Sequence, residues 1–146
     1  MRQQSLGFTL IEIMAVILIM GLVATIVAVN VFDRIEWARV STTKIKMRSL
    51  EATLDMFRFD QSHYPTTEQG LVALLERPRT GSFDYYPESG YLRESESTED
   101  GWRRPFGYGS PGERSRVGYD LWSNGRDGAP GGEGPDQDIT NWEEPS

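Results

Sequence analysis

The strongest constraint on this chain is an apolar run near its start. From Ile13 to Val29 it carries no charge, and only Gly21 and Thr25 are not hydrophobic. Counted from Phe8 to Val31, the stretch reaches roughly the 20 residues that a helix needs to cross a bilayer core. Its one charge, Glu12, stands near the beginning. An ionised carboxylate within a membrane is costly unless it is paired, which makes Glu12 a functional candidate.

A secretory signal peptide has a basic start, a shorter apolar core and a small-x-small site after that core. Here the polar lead, Met1–Gly7, is short, the apolar run is long, and no Ala-x-Ala-like site follows it. A cut between Gly7 and Phe8 would leave the membrane segment on the mature chain. The reading without processing is an ordinary signal anchor, with Glu12 at the headgroup level.

Gly7-Phe8-Thr9-Leu10-Ile11-Glu12 resembles the leader of type IV pilins and pseudopilins, G-F-T-L-I-E. The resemblance implies that a prepilin peptidase cuts after Gly7 and that Phe8 becomes the N-methylated first residue. Glu12 occupies the place of the acid that the family carries just beyond it. Pairing Glu12 of one subunit with the Phe8 amine of the next would neutralise both charges and set a stagger between neighbours. Charge counting points the other way. Arg2 precedes the span, whereas Arg34, Arg39, Lys44, Lys46 and Arg48 follow it. The positive-inside rule alone would put the C-terminal side in the cytoplasm. The leader motif requires Gly7 there instead, so the resemblance implies a single-pass protein of the bacterial inner membrane with its C-terminal part in the periplasm.

With 146 residues, the chain has room for one domain beyond the anchor. It has no cysteine, hence no disulfide and no thiol ligand or nucleophile. The net charge of −7 and an acidic C-terminal third exclude the basic surface that nucleic-acid binding needs. The basic residues between Arg34 and Arg48 alternate with acids and read as a solvated helix face.

Neither Pro nor Gly occurs between Leu22 and Gln61, so the helix is expected to run unbroken to about Phe59. Met47, Leu50, Leu54 and Phe57 make one apolar stripe at helical period, suited to covering a core. Pro65 biases His63-Tyr64 toward extended backbone. Thr66 and Gln69 read as a capping box, followed by a short amphipathic helix with Leu71, Leu74 and Leu75 that ends at Pro78. His63, the one histidine, reads as a loop or core-edge residue. Residues 79–104 read as a loop anchored by Phe83, Tyr85, Tyr86 and Tyr91. Phe106–Tyr108 and Val117–Trp122 are the two strand candidates, joined by a Ser-Pro-Gly-Glu turn. The expected fold class is α+β: a long N-terminal helix packed on a small antiparallel sheet.

Tyr119 to Gly128 and Gly131 to Ile139 spread carboxylates through a glycine-rich segment, a pattern that suits oxygen ligation of a hard cation. Its spacing is not that of an EF-hand. From spacing alone, an acidic solvated tail fits as well as a calcium loop.

Tyr64-Pro65-Thr66-Thr67-Glu68-Gln69-Gly70-Leu71 is similar to the Y-P-T-T-E-Q-G-L of major pseudopilins of type II secretion systems, and Gly90-Tyr91-Leu92 to their G-Y-L. Their ending, Y-D-L-Y-S-L-G-A-D-G followed by G-G and A-D-I-G-N-W, is a calcium loop resembled by residues 119–142. The resemblance implies a Ca2+ site using Asp127, Asp138, Asp136, Glu133 and the carbonyl of Asn124. Two departures stand out. Val29 takes the place of the usual proline of the span, and Asp100-Gly101-Trp102-Arg103-Arg104-Pro105-Phe106 replaces D-P-W-G-N-P-Y, so that turn is expected to be remodelled.

The resemblance thus implies a leader at 1–7, the membrane half of the helix at 8–31 and a periplasmic pseudopilin domain at 32–146. It implies no enzymatic activity but a structural subunit of a helical pseudopilus that drives export of folded proteins. The partners implied are the prepilin peptidase, other copies of the chain, minor pseudopilins, and an inner-membrane assembly platform with its cytoplasmic ATPase. Two rival readings are a type IV pilus pilin or minor pseudopilin, and a membrane-anchored, calcium-dependent periplasmic enzyme. Many pilins close a C-terminal loop with a disulfide, which this chain lacks the cysteines to form. Nor does it offer a Ser/His/Asp or Cys/His constellation for catalysis.

Overall fold

The structure is a computed structural model that describes residues 8–83, 85–92 and 97–142, with the side chains of 26–30 outside the description. Gly7 and the leader lie outside the described residues. The chain divides into two compact units, Met1–Glu36 and Trp37–Ser146.

Helix α1 covers Leu10–Gln61, close to the expected limits. Its first turn is capped by Thr9, whose Oγ1 accepts from the Glu12 amide at 3.3 Å. Glu12 sits in that first turn, where the positive end of the helix dipole favours an acid. In the N-terminal unit Phe8, Leu10, Ile11, Met14, Ile17 and Leu18 are exposed. Among the described residues no helix is long and apolar enough to cross a membrane. The expected span at 8–31 includes residues whose side chains are not described.

In the C-terminal unit, α1 turns one stripe inward. Met47, Leu50, Leu54 and Phe57 are buried as expected, and Val40 and Thr43 extend the stripe toward the N-terminus. The helix ends where Ser62 adopts a left-handed φ of 66°. Tyr91 fastens the last turn, donating to Asp60 Oδ2 at 3.1 Å and accepting from Gln61 at 2.8 Å.

The capping box forms reciprocally: the Gln69 amide donates to Thr66 Oγ1 at 3.3 Å and the Thr66 amide to Gln69 Oε1 at 3.0 Å. It closes a turn instead of opening an α-helix. Gly70, at φ 58°, redirects the chain, and Leu71–Leu74 form a single 3₁₀ turn that stops short of Pro78. This segment is tied to the sheet. Tyr108 Oη donates to the Pro65 carbonyl at 2.8 Å, and Thr67 Oγ1 to the Ser110 carbonyl at 3.0 Å.

The sheet has three strands, β1 (Gly107–Gly109), β2 (Asp120–Ser123) and β3 (Ile139–Thr140), in the order β1-β2-β3 and antiparallel throughout. Both expected strands are present: β1 keeps the expected length but lies one residue further along, and β2 is shorter than Val117–Trp122 and reaches Ser123, while β3 adds a pair of residues too short to carry a readable alternation. Phe106, Leu121 and Ile139 bury against Leu54, Phe57, Leu74, Phe83, Tyr91 and Tyr119 in one core cluster. Of the expected aromatic anchors, Phe83 and Tyr91 are buried and Tyr86 packs against them, but Tyr85 is exposed. His63 lies at the core edge, its ring 6.1 Å from those of Phe57 and Phe83.

Candidate functional site

The C-terminal segment hangs on β2 and β3, and its geometry starts with a turn headed by the buried Asp100. Asp100 Oδ1 accepts from the amides of Trp102 at 2.8 Å and Arg104 at 3.0 Å, closing the Asp100–Pro105 turn. The turn docks on α1: the Gly101 amide donates to Thr43 Oγ1 at 2.9 Å, and Lys46 Nζ to the Glu99 carbonyl at 3.0 Å. Lys46 is therefore not part of a merely solvated face. The turn aims Arg104 at the loop, where its guanidinium donates to the Gly125 carbonyl at 2.9 Å and to that of Arg126.

At the start of β2, Asp120 accepts from three consecutive amides, those of Glu113 (2.9 Å), Arg114 (3.1 Å) and Ser115 (2.7 Å). Burial pushes its pKa up, but these amides outweigh it and hold the carboxyl below the usual aspartate range. Asn141 clamps the following segment, donating to the Tyr119 carbonyl at 3.1 Å and accepting from the Leu121 amide at 2.9 Å.

The five expected ligands occupy different situations. Asp138 accepts from the Gly131 amide through Oδ2 at 2.9 Å, whereas its Oδ1 is buried without a hydrogen-bond partner. Asn124 offers its carbonyl to the Gly128 amide at 3.1 Å. Asn124 and Asp138 share a cavity of about 320 Å³ with Glu113, Asp120, Trp122 and Trp142. Asp127 Oδ1 caps the Ala129 amide at 3.0 Å. Asp136 is held by Arg126 in a bidentate pair, Nε to Oδ1 at 2.7 Å and Nη2 to Oδ2 at 2.6 Å, which keeps its carboxyl below the usual range. Glu133 is exposed and precedes the 3₁₀ turn Gly134–Asp136.

Among the described residues no group of three or more acids, histidines or cysteines stands gathered to hold a metal. The fit to a cation is therefore partial. A buried carboxylate oxygen with no donor, Asp138 Oδ1, is the atom most in need of one. Asp136 does not fit as it stands, because both of its oxygens face a guanidinium.

Sequence reasoning did not assign roles to Asp100, Arg104, Asp120 and Arg126. The bonds that their side chains make reach as far as 23 residues, as between Asp100 and Ser123, so no local pattern marks them.

Comparison with known proteins matches both parts of the chain. A family described as "Type II secretion system (T2SS), protein G" matches residues 30–142, and the "Prokaryotic N-terminal methylation motif" matches residues 2–28. Type II secretion system core protein G of Klebsiella michiganensis is 42% identical over 142 residues, covering 97% of this chain and 95% of that protein. The protein of the same name from Pseudomonas aeruginosa is 40% identical over 144 residues, covering 97% and 98%. The crystal structure of the major pseudopilin from the type 2 secretion system of enterohaemorrhagic Escherichia coli aligns with a TM-score of 0.62 at 36% identity, covering 77% of this chain and 94% of that one. With residues 30–142 matched by the protein G model, residues 2–28 by the methylation motif, and relatives about 40% identical over nearly the whole chain, the chain belongs to the protein G family of the type II secretion system.

Proposed function

We propose that this chain is the major structural subunit of a type II secretion pseudopilus, a membrane-associated periplasmic protein that polymerises after its leader is removed. One observation carries the reading: a protein G match over residues 30–142 is joined, in the same chain, to an N-methylation motif over residues 2–28. This is a family of structural pseudopilins and not of enzymes, and it takes precedence over the type IV pilin reading.

In this reading a prepilin peptidase cuts between Gly7 and Phe8 and methylates the new Phe8 amine. Exposed Phe8, Leu10, Ile11 and Met14 give the first turns of α1 an apolar surface for lipid or for neighbouring subunits. Glu12, at the start of α1, pairs with the Phe8 amine of the next subunit and fixes the stagger of the filament. Minor pseudopilins and an inner-membrane platform with a cytoplasmic ATPase complete the assembly.

The test is to coexpress the full chain with a prepilin peptidase and to measure the intact mass from membranes. The expected product starts at Phe8 and carries an added methyl group. With the platform, its ATPase and the minor pseudopilins coexpressed as well, wild type should yield filaments by electron microscopy, and Glu12→Ala should be cut normally yet yield none. An uncut chain, or filaments undiminished by Glu12→Ala, would sink the assembly role given to these residues.

The same reading includes a calcium ion in the C-terminal loop, held by Asp138 and Asp127 with the Asn124 carbonyl, and with Glu133 and Asp136 within the same loop. The ion would supply an electrostatic cross-link between oxygen ligands. Asp138 Oδ1, buried and unpartnered, is what supports it. Binding to the folded form alone raises stability as RT ln(1 + [L]/Kd). Calcium should therefore raise the melting temperature of the wild-type chain, and Asp138→Asn should remove the rise.

A further inference from the structure

In the C-terminal loop the Arg126–Asp136 pair places a fixed positive charge on an expected calcium ligand. We propose that Arg126 is a built-in cation of this loop, holding Asp136 in a bidentate pair so that Arg126, and not the acids alone, sets how strongly the loop depends on calcium. The inference rests on the calcium reading above and concerns which residues the ion must compete with.

Both oxygens of Asp136 are taken, at 2.7 and 2.6 Å. The fork of a guanidinium matches a carboxylate in a way that a point charge does not, so the pair is directional as well as charged. The backbone holds it in register. The Arg126 amide donates to the Pro135 carbonyl at 2.9 Å, while Arg104 grips the carbonyls of Gly125 and Arg126 from the other side. Gly125, at φ 61°, lets the two strands of the loop approach so closely that a Cβ there would lie 2.6 Å from the Asp136 carbonyl oxygen. Arg126 is thus delivered to Asp136 by main-chain geometry.

Two consequences follow for a cation. Asp136 cannot turn to it without giving up the guanidinium, and the guanidinium itself repels it. The ligand charge that sets calcium affinity is accordingly lowered by this residue. In return, the loop is cross-linked by a protein charge when no ion is bound. Asp138, whose buried Oδ1 has no partner, stays open to calcium.

The experiment is calcium titration by calorimetry of the full-length chain in detergent micelles, with melting recorded in chelator and in excess calcium chloride. Wild type, Arg126→Ala, Arg126→Lys and Asp136→Asn are compared. Arg126→Ala should bind calcium about fivefold tighter, the upper scale of an exposed ion pair, yet melt lower than wild type in chelator. Asp136→Asn should also melt lower in chelator but gain no affinity. Arg126→Lys, which keeps the charge and loses the fork, should fall between wild type and Arg126→Ala and covers the case in which the alanine variant does not fold. Equal calcium affinity in wild type, Arg126→Ala and Arg126→Lys would overturn the inference while leaving the calcium site standing. Absence of calcium binding in every variant would overturn the calcium reading itself, and the competition with it.

Discussion

Ser123 donates its hydroxyl to Asp100 Oδ2 at 2.7 Å, and both residues are buried. Through this bond the turn that carries Arg104 is fixed to β2, from which the C-terminal loop departs. Asp100→Ala removes the acceptor of the Trp102 and Arg104 amides as well as of Ser123. Hydrogen bonds to charged groups contribute roughly 1.5–3 kcal/mol each, and their donors would be left in the interior. A loss of about 3 kcal/mol is expected, read as a fall in melting temperature of more than about 10 °C. Ser123→Ala should cost less, about 1–2 kcal/mol, because Asp100 Oδ1 keeps its two amides. Equal melting of all three chains would show that the turn is not held by Asp100.

Asp120 makes stability depend on acid. Its folded pKa is depressed, so it binds a proton less readily folded than unfolded. The resulting stability is fully present above the unfolded aspartate value of about 3.9 and is lost as pH falls through the lower folded value. Melting followed from pH 7 downward should therefore drop in the wild type below about pH 4. Asp120→Asn should be less stable at neutral pH and lose less than the wild type on acidification. A variant with an unchanged acid slope would exclude Asp120 as a source of it.

Gly107 pairs with Trp122 across β1 and β2, and a Cβ at Gly107 would lie 2.1 Å from the indole ring. The tryptophan lies over the glycine, leaving no room for a methyl group. Gly107→Ala should cost about 1–3 kcal/mol through overpacking. It should also shift the near-ultraviolet circular dichroism of the tryptophans, which a purely local backbone effect would leave in place.

The two faces of α1 in the C-terminal unit should respond differently to truncation. Leu54 is fully buried, and Leu54→Ala is expected to cost about 2–5 kcal/mol. Phe59, 88% exposed on the same helix, should tolerate Phe59→Ser within about 0.5 kcal/mol in the isolated subunit. Urea titration of the two variants checks this, and comparable losses would contradict the inward stripe.

The long helix was readable because its cues are local and repeated. No Pro or Gly interrupts it between Leu22 and Gln61, and Met47, Leu50, Leu54 and Phe57 share one face. The capping box at Thr66 and Gln69 was readable too, but its consequence was not. The 3₁₀ geometry after Gly70 answers to the burial of Leu71, Ala73 and Leu74, which tertiary packing dictates. Strand β3 escaped notice because two residues become a strand only by pairing with Trp122 and Ser123. Tyr85 and Tyr86 are neighbours of the same type, yet only Tyr86 joins the core.

The sequence by itself determined the apolar start with its single acid, the helix and its inward stripe, and the acidic glycine-rich ending. Each is written in the order of residues along a short stretch, where composition and period are enough. Only the tertiary structure decided what the acids of that ending do. Asp136 went to Arg126, Asp127 to a neighbouring amide, Asp120 to three amides, and Asp138 was left with a buried oxygen unpartnered. A carboxylate takes whichever donors the folded backbone brings within reach, and that proximity is settled by how the loop closes on Arg104 and the sheet.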